Sequence, residues 1–424
     1  MDYYIILVYI STYIGLFAAS FYVINLLFYY NQKHRILSDK KLTASLVVPA
    51  YNEEKTIAHT IKSLLALNYP KDKFEIIIVD DGSQDRTYSI AKKFESNIHP
   101  KIKVFTKNNG GKGSALNLGI SKSKNEIIIS MDADSFITPE ALLKIMPYFY
   151  SKDVMAVTPS MTVHNPKSIL QRIQQIEYNM GVFLRKSFAT VNAIHITPGA
   201  FSAYRKEFFM KYGGYDEYNM TEDLEIALRI QSKGFIIENS PEAVVYTVAP
   251  RKFKELLIQR RRWYSGLAKN LYHYRSLFGP KKGPLGLIVL PVAVTTILLS
   301  MIIFVYSLIK TLVYIRSELL ILKSINFRFI NSFEIDKFVI NRAAYTLFTN
   351  PAILLSLLMI TILISYLYFA SRKMKYKQNI KLNLILFILF YGMLYSFWWF
   401  VSLFYVLFGK KVTWRSGVKD VGKI

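Results

Sequence analysis

The sequence predicts an α/β domain with a mostly parallel sheet, joined to a set of helices that cross a membrane. Three observations predict it. Between about Thr43 and Phe278, short β-favouring apolar runs alternate with segments of helical spacing, the pattern of βαβ units. Four stretches, Ile5 to Phe28, Leu285 to Ile309, Leu347 to Ala370 and Leu384 to Phe408, are apolar over about the 20 residues that span a hydrocarbon core. The run from Ile127 to Asp134, I-I-I-S-M-D-A-D, reads as a strand buried on both faces that opens at its carboxyl end into two acids.

In chain order, the first apolar stretch is too long for a signal-peptide core and no small-residue cleavage site follows it before Asn31, so it is expected to be a retained span. Lys33, Arg35, Lys40 and Lys41 follow it, which puts the next region in the cytoplasm and the N-terminus outside. Strands are expected at Ser45 to Val48, Glu75 to Val79, Lys103 to Thr106, Glu126 to Met131 and Val154 to Thr158. Helices are expected at Glu53 to Leu67, Asp85 to Phe94, Lys112 to Ser121 and Pro139 to Tyr150.

Each of the first four strands ends in a polar cluster: Pro49 to Glu54, Asp80 to Ser83, Asn109 to Lys112, and Asp132 to Asp134. Carboxylates at helix starts are ordinary partners of the helix dipole, which accounts for Glu54 and Asp85. It does not account for polar clusters at four successive strand ends, where open α/β sheets bind ligands. Tyr51 suits stacking on a base, and Asp80 or Asp81 suits accepting from an imide N–H. Lys112 beside Gly110 and Gly111 suits a phosphate approached closely by backbone. Asp132 and Asp134 share a face if strand geometry persists. Two hard oxygen ligands there suit a divalent cation that clamps a diphosphate.

Lys plus Arg number 54 against 29 Asp plus Glu, for a net charge of +25. Many of these cations flank the apolar stretches, including Lys281, Lys282 and Arg372 to Lys381. They therefore read as contacts with anionic headgroups of a lipid bilayer rather than as a nucleic-acid surface. The chain has no cysteine, which excludes disulfides, thiolate metal sites and cysteine nucleophiles.

Taken in order, V-P-A-Y-N-E-E, V-D-D-G-S, G-K-G-S-A-L-N, D-A-D, T-E-D (Thr221 to Asp223) and Q-R-R-R-W (Gln259 to Trp263) resemble the family 2 glycosyltransferases. More narrowly, they resemble the membrane-embedded processive synthases of cellulose, chitin, hyaluronan and poly-N-acetylglucosamine. The tail Val412 to Ser416 and the compact size are most similar to the last of these branches. The resemblance implies a cytoplasmic GT-A (Rossmann-like) domain over 43–250, after an N-terminal span at 1–32. An interfacial helix over 251–280, transmembrane helices over 285–409 and a basic tail over 410–424 would follow.

It also implies site residues. Tyr51, Glu53, Asp80 and Asp81 would surround the uracil end of a UDP-sugar donor and Lys112 the diphosphate. Asp132 would lie by the ribose and diphosphate and, with Asp134, would hold Mg²⁺ or Mn²⁺. Asp223 would be the general base, Gln259 and Arg262 would hold the pyrophosphate, and Trp263, Gly199 and Glu222 would meet the glycan acceptor. Inverting transfer asks for these types: a carboxylate takes the acceptor proton, and cations neutralise the departing diphosphate.

From Lys252 to Phe278, apolar residues recur at helical spacing among Arg260, Arg261, Lys269 and Arg275, as in a basic helix lying in the headgroup plane. Four spans with an external N-terminus would leave Lys410, Lys411, Arg415 and Lys419 outside, against the charge rule. Either the last stretch is re-entrant, broken at Gly392, or Arg316 to Arg342 contains a further membrane element.

The expected function is an inverting, processive transferase of the cell membrane. It would polymerise a UDP-sugar, by best match UDP-N-acetylglucosamine, and pass the chain outward. Single-sugar transfer to a lipid carrier is the first rival, and Q-R-R-R-W weighs against it. A non-enzymatic export scaffold is the second, opposed by the presence of Asp134, Asp223 and Arg262. The sequence does not specify an accessory membrane subunit.

Overall fold

The computed structural model describes residues 3–29, 41–324, 337–373 and 380–410. Helix α1 (Tyr3–Tyr29) precedes an alternating region of β1 (Ala44–Ala50), α2 (Ile57–Leu65), β2 (Phe74–Asp80), α3 (Thr87–Lys92), β3 (Lys101–Thr106), α4 (Lys112–Lys122) and β4 (Ile127–Ser130). Next come β5 (Ser135–Ile137), α5 (Ala141–Ile145), β6 (Val154–Val163), α6 (Ile169–Thr190), β7 (Ser202–Arg205), α7 (Lys206–Tyr212), α8 (Glu222–Ser232) and β8 (Ile236–Thr247). The chain continues through α9 (Phe253–His273), α10 (Leu290–Ser324), α11 (Lys337–Thr349), α12 (Pro351–Lys373) and α13 (Ile380–Leu407).

The eight strands form one sheet in the order β3-β2-β1-β4-β7-β6-β8-β5. β1 pairs in parallel with β2 and β4, and β2 with β3, as the alternating sequence predicts. Beyond β4 the sheet is mixed rather than purely parallel: β6 and β8 still pair in parallel, but two other strands reverse. There β7 is antiparallel to β4 and β6, and β5 is antiparallel to β8. The result is a mixed sheet of GT-A character. The reversal comes from β7, which reaches β4 through the loop after α6 and so enters from the opposite end.

Alternation along the strands builds a core on each face. Leu46, Val48, Ile76, Ile78 and Ile129 pack toward α2 and α5 on one side. Val47, Ile77, Val79 and Ile128 pack toward Ala115, Leu116 and Ile120 of α4 on the other. β1 leads through α2 to β2 on one side and β3 leads through α4 back to β4 on the other, so the connections diverge beside the β1 carboxyl end and open a crevice there.

Two helices connect this domain to the apolar ones. α6, which the sequence reading did not identify, starts in a reciprocal capping box of Ser168 and Gln171. It bonds α1 through Ser187 Oγ to the Tyr22 carbonyl at 2.9 Å, and α12 through Tyr366 Oη to the Met180 carbonyl at 3.3 Å. α9 stacks Tyr264 on Trp399 of α13, with ring centroids 4.5 Å apart and 5° between planes.

Among the described residues, Ile5–Leu27, Leu285–Ser324 and Phe390–Leu407 are long and apolar enough to cross a membrane. Ile340–Thr349 and Ile353–Tyr366 meet that test only as a pair bent by 71°. The second apolar segment runs to Ser324, well past the expected end at Ile309, through α10. Gly392 lies inside the unbroken helix α13, so the expected break there is absent. α11 occupies the end of the Arg316 to Arg342 stretch that had no assigned element. The Val412 to Ser416 motif and Lys33, Arg35 and Lys40 lie outside the described residues.

Candidate active site

The crevice is closed by loops stitched across the strand ends. Asn52, at φ 55° just after β1, accepts the Gln84 N–H at 2.8 Å through its side chain, while its own N–H reaches Ser83 Oγ at 3.0 Å. Tyr51 precedes it, half-buried. Glu53 receives the Thr56 hydroxyl at 2.8 Å. Asp80 is buried; its Oδ2 accepts from Ser83 N at 3.3 Å and Thr106 Oγ1 at 3.1 Å. Its Oδ1 has no hydrogen-bond partner among the described residues, so one buried acceptor at the end of β2 is unsatisfied.

Asp81 does something the sequence did not suggest. Its carboxylate takes the Lys107 ammonium at 2.9 Å and the Gly110 and Gly111 N–H groups at 3.0 and 2.8 Å. It thereby fixes the loop that delivers Lys112 to the first position of α4.

The strand geometry expected to align Asp132 with Asp134 ends at Ser130, and the two acids sit in a turn. That turn is held by Met131 N–H on Val47 O at 3.0 Å and by Thr60 Oγ1 on Ala133 O at 2.8 Å. The carboxylates still share an environment. Burial, then Asp132 and Glu53, push the Asp134 carboxyl up to about 7 against the pull of Lys112.

Lys112 Nζ lies 2.7 Å from Asp132 Oδ1 and 2.8 Å from Glu222 Oε1. Burial opposes its charge, but Asp132, Glu222 and Asp223 outweigh that and hold the ammonium well above its ordinary range. Glu222 and Asp223 open α8. Asp223 accepts the Leu224 N–H at 2.9 Å and the Gly199 N–H at 3.2 Å, and Thr197 Oγ1 binds its carbonyl at 2.6 Å. A Cβ on Gly199 would come within 2.5 Å of Lys112 Nζ and 3.3 Å of Asp132 Oδ1, so any larger residue there would displace the ammonium from its present position.

Burial first, then Glu222, push the Asp223 carboxyl up to about 6, with Lys112 and Arg262 drawing it down. Arg262 is disfavoured by burial and attracted by Glu222, Asp223, Asp132 and Asp134, so α9 turns this guanidinium toward the same cluster.

The structure thus brings Lys112, Asp132, Asp134, Gly199, Glu222, Asp223 and Arg262 together. Gln259 and Trp263 stand beside them on α9. Gln259 Oε1 is buried with no hydrogen-bond partner among the described residues. The Trp263 ring packs with Met161, Val163, Tyr178 and Ala249, 4.5 Å from the Arg260 guanidinium. Arg260, fully buried, forms a bidentate ion pair with Glu177 of α6. Glu177 escaped the sequence reading because its role depends on a contact 83 residues away.

No group of three or more His, Cys, Asp and Glu side chains among the described residues is disposed to hold a metal ion. Asp132 and Asp134 offer hard oxygen donors from one turn, while Glu222 is already paired with Lys112. That fits a cation held jointly with phosphate oxygens rather than by protein alone, and the repulsion from Asp132 and Glu53 that adds to burial in raising Asp134 is of the kind a cation relieves.

Residues 45–213 match the family described as Glycosyl transferase family 2. The chain is similar to poly-beta-1,6-N-acetyl-D-glucosamine synthase of Staphylococcus aureus (strain COL), 31% identical over 238 residues that cover 56% of this chain and 57% of that one. It is 33% identical to the Staphylococcus epidermidis synthase of the same name over 224 residues, 52% of this chain and 54% of that one. The chain therefore spans little more than half the length of these relatives. A solved mannosyltransferase from Pyrobaculum calidifontis, in complex with GDP-Man and Mn²⁺, is 18% identical, with 86% of this chain and 98% of that one covered at a TM-score of 0.49. The alternating strands, the crevice at β1 and the family match agree over one segment: from residue 45 to 213 this chain is similar to a glycosyl transferase family 2 domain.

Proposed function

We propose that this protein is a membrane-embedded inverting glycosyltransferase that extends a polysaccharide from a nucleotide-sugar donor, UDP-N-acetylglucosamine by preference. One observation carries the proposal: Lys112, Asp132, Glu222, Asp223 and Arg262, from four separate segments, meet at one crevice end. The names of the staphylococcal relatives support the choice of sugar and of a polymeric product.

In this reading Tyr51, Glu53 and Asp80 receive the uracil end of the donor, and Asp81 organises the loop that presents Lys112. Lys112 exchanges its two carboxylate partners for the diphosphate, joined by Gln259 and Arg262. Asp132 and Asp134 would hold Mg²⁺ or Mn²⁺, which supplies positive charge beside the leaving group. Asp223 takes the proton of the acceptor hydroxyl as that oxygen bonds to the anomeric carbon and the bond to the diphosphate breaks, with inversion. Its carboxyl, raised to about 6, lies close enough to neutrality to serve as a base while still being ionised. Glu222 pairs with Lys112 and the Gly199 N–H holds Asp223 in place, and Trp263 stacks on the acceptor's terminal sugar.

The domain of residues 43–250 faces the cytoplasm, α9 lies at the membrane surface, and the product leaves between the apolar helices, which form a multi-pass region of the cell membrane. The test is turnover by the purified chain in lipid nanodiscs with a panel of labelled UDP-sugars and sizing of the product. Long polymer from UDP-N-acetylglucosamine is expected. A folded protein that transfers no sugar from any donor, or adds a single sugar to a lipid carrier, would refute the reading.

A further inference from the structure

Arg262, Gly266 and Asn270 are four residues apart on α9 and form one stripe along it. All three face the start of α8. Arg262 is drawn to Glu222 and Asp223. At Gly266 a Cβ would overlap the Thr221 hydroxyl and press on its Cγ2 and Cβ, the last at 2.9 Å. Asn270, 3% exposed, donates through Nδ2 to Thr221 Oγ1 at 3.0 Å and accepts from Asn219 Nδ2 at 2.8 Å. Asn219 Oδ1 closes the ring by accepting the Thr221 N–H at 3.1 Å and its hydroxyl at 3.2 Å.

The use of Thr221 is unusual for its position. A threonine just before a helix ordinarily turns its oxygen onto an N–H of the first turn. Thr221 makes no such bond. Its hydroxyl is committed to α9 and to Asn219, so the residue next to Glu222 and Asp223 is tied to the helix that carries Arg262. An α-helix rises about 1.5 Å per residue, so Gly266 and Asn270 hold α9 roughly one and two turns from Arg262. Any shift at those contacts moves the guanidinium along the carboxylates.

We infer that Asn219, Thr221, Gly266 and Asn270 form a clasp that sets Arg262 in register with Glu222 and Asp223, as positioning residues for the diphosphate end of the donor. This rests on the reading above, in which Arg262 holds the diphosphate. Misplacing a group by about 1 Å can cost on the order of 10²-fold, so a methyl group forced between Thr221 and α9 should be felt at the phosphates.

The experiment compares UDP and uridine binding, with Mg²⁺ present, to the full chain in nanodiscs as wild type, Gly266→Ala, Asn270→Ala, Arg262→Ala and Gly266→Ala with Arg262→Ala. The clasp acts through Arg262 alone, so Gly266→Ala should weaken UDP by at least about tenfold and leave uridine unchanged. Asn270→Ala, which removes bonds without adding bulk, should do the same to a smaller degree and serves if Gly266→Ala does not fold. In the Arg262→Ala background, Gly266→Ala should cost nothing further. Unchanged UDP affinity in both single variants, equal losses of UDP and uridine, or additive losses in the double variant would each overturn the clasp. A wild-type chain that bound no UDP would overturn both the clasp and the donor assignment, a result separable from the other three.

Discussion

Lys112 Nζ lies 2.8 Å from Glu222 Oε1, an ion pair that joins the first residue of α4 to the first residue of α8. The same ammonium meets Asp132. One cation thus bridges two carboxylates that would otherwise repel each other, and a donor diphosphate has to compete with both of them for one lysine.

Replacing Lys112 by Met should therefore do more than weaken donor binding. Removing one partner of a buried pair leaves the other uncompensated, at about 3 kcal/mol. Lys112→Met should lower the melting temperature of the detergent-solubilised protein and raise the donor KM. A variant as stable as wild type with an unchanged KM would show that the pair is incidental.

Asp223→Asn should reduce kcat by about 10²- to 10⁴-fold, the usual worth of a positioned base, with UDP affinity nearly intact. The asparagine oxygen still accepts the Leu224 or Gly199 N–H, so the loop is preserved. Titration calorimetry alongside turnover separates the outcomes. Parallel losses of affinity and rate would make Asp223 a structural cap.

The pH profile follows from the same residue. Asp223 acts ionised, and its carboxyl is pushed up to about 6, so kcat/KM should rise with pH through about 6 and level off above it. Below that point the rate should fall about tenfold per pH unit. Saturating metal in the assay keeps Asp134, pushed up to about 7, ionised across the range. A profile flat down to pH 4.5 would remove Asp223 from the proton transfer.

Trp263→Ala should abolish polymer while UDP still binds, because the indole packs with Tyr178 and Val163 rather than with the donor-binding loops. Trp263→Phe should retain part of the product length. Sizing the polymer made by each folded variant decides the matter, and wild-type length from Trp263→Ala would leave the ring as packing alone.

Glu177→Gln should lower the melting temperature markedly, since it strands the fully buried Arg260 guanidinium at a cost of about 3–5 kcal/mol. Thermal unfolding in one detergent compares it with wild type, and an unchanged midpoint would mean that water relieves the charge.

The first half of the sheet was legible because β1, β2 and β4 are unbroken apolar runs, whose burial on both faces follows from the helices between them. α6 was not, because its buried face includes Gln171 and Gln174. Their side chains bond the Ala249 and Pro250 carbonyls at 2.9 and 3.0 Å, which makes polar residues behave as core. β7 has only four residues, and β8 contains Asn239, Ser240 and Pro241 within a strand that shifts register against β6. In the site, Lys112, Asp132, Asp134, Asp223 and Arg262 stood out by motif. Their mutual pairing did not, because spacing along a chain says nothing of which carboxylate a lysine chooses. Arg262, Gly266 and Asn270 stand at intervals of four residues, a spacing the sequence reading passed over. It gained meaning only once Thr221 was found opposite it.

α9 has two occupied sides. On one it meets the carboxylates and Thr221; on the other Tyr264 lies flat on Trp399 of α13, and Arg261 sits 4.3 Å from the Tyr405 ring. A rigid rod wedged between two bodies transmits load, so the sugar-handling crevice and the apolar helices are mechanically in series. Bilayers of different thickness tilt spanning helices differently, and a tilt of α13 is delivered by α9 as a displacement of one guanidinium. The lipid acyl chain length should thereby act as a dial on turnover at a site built from the starts of α4 and α8, the turn after β4 and one face of α9.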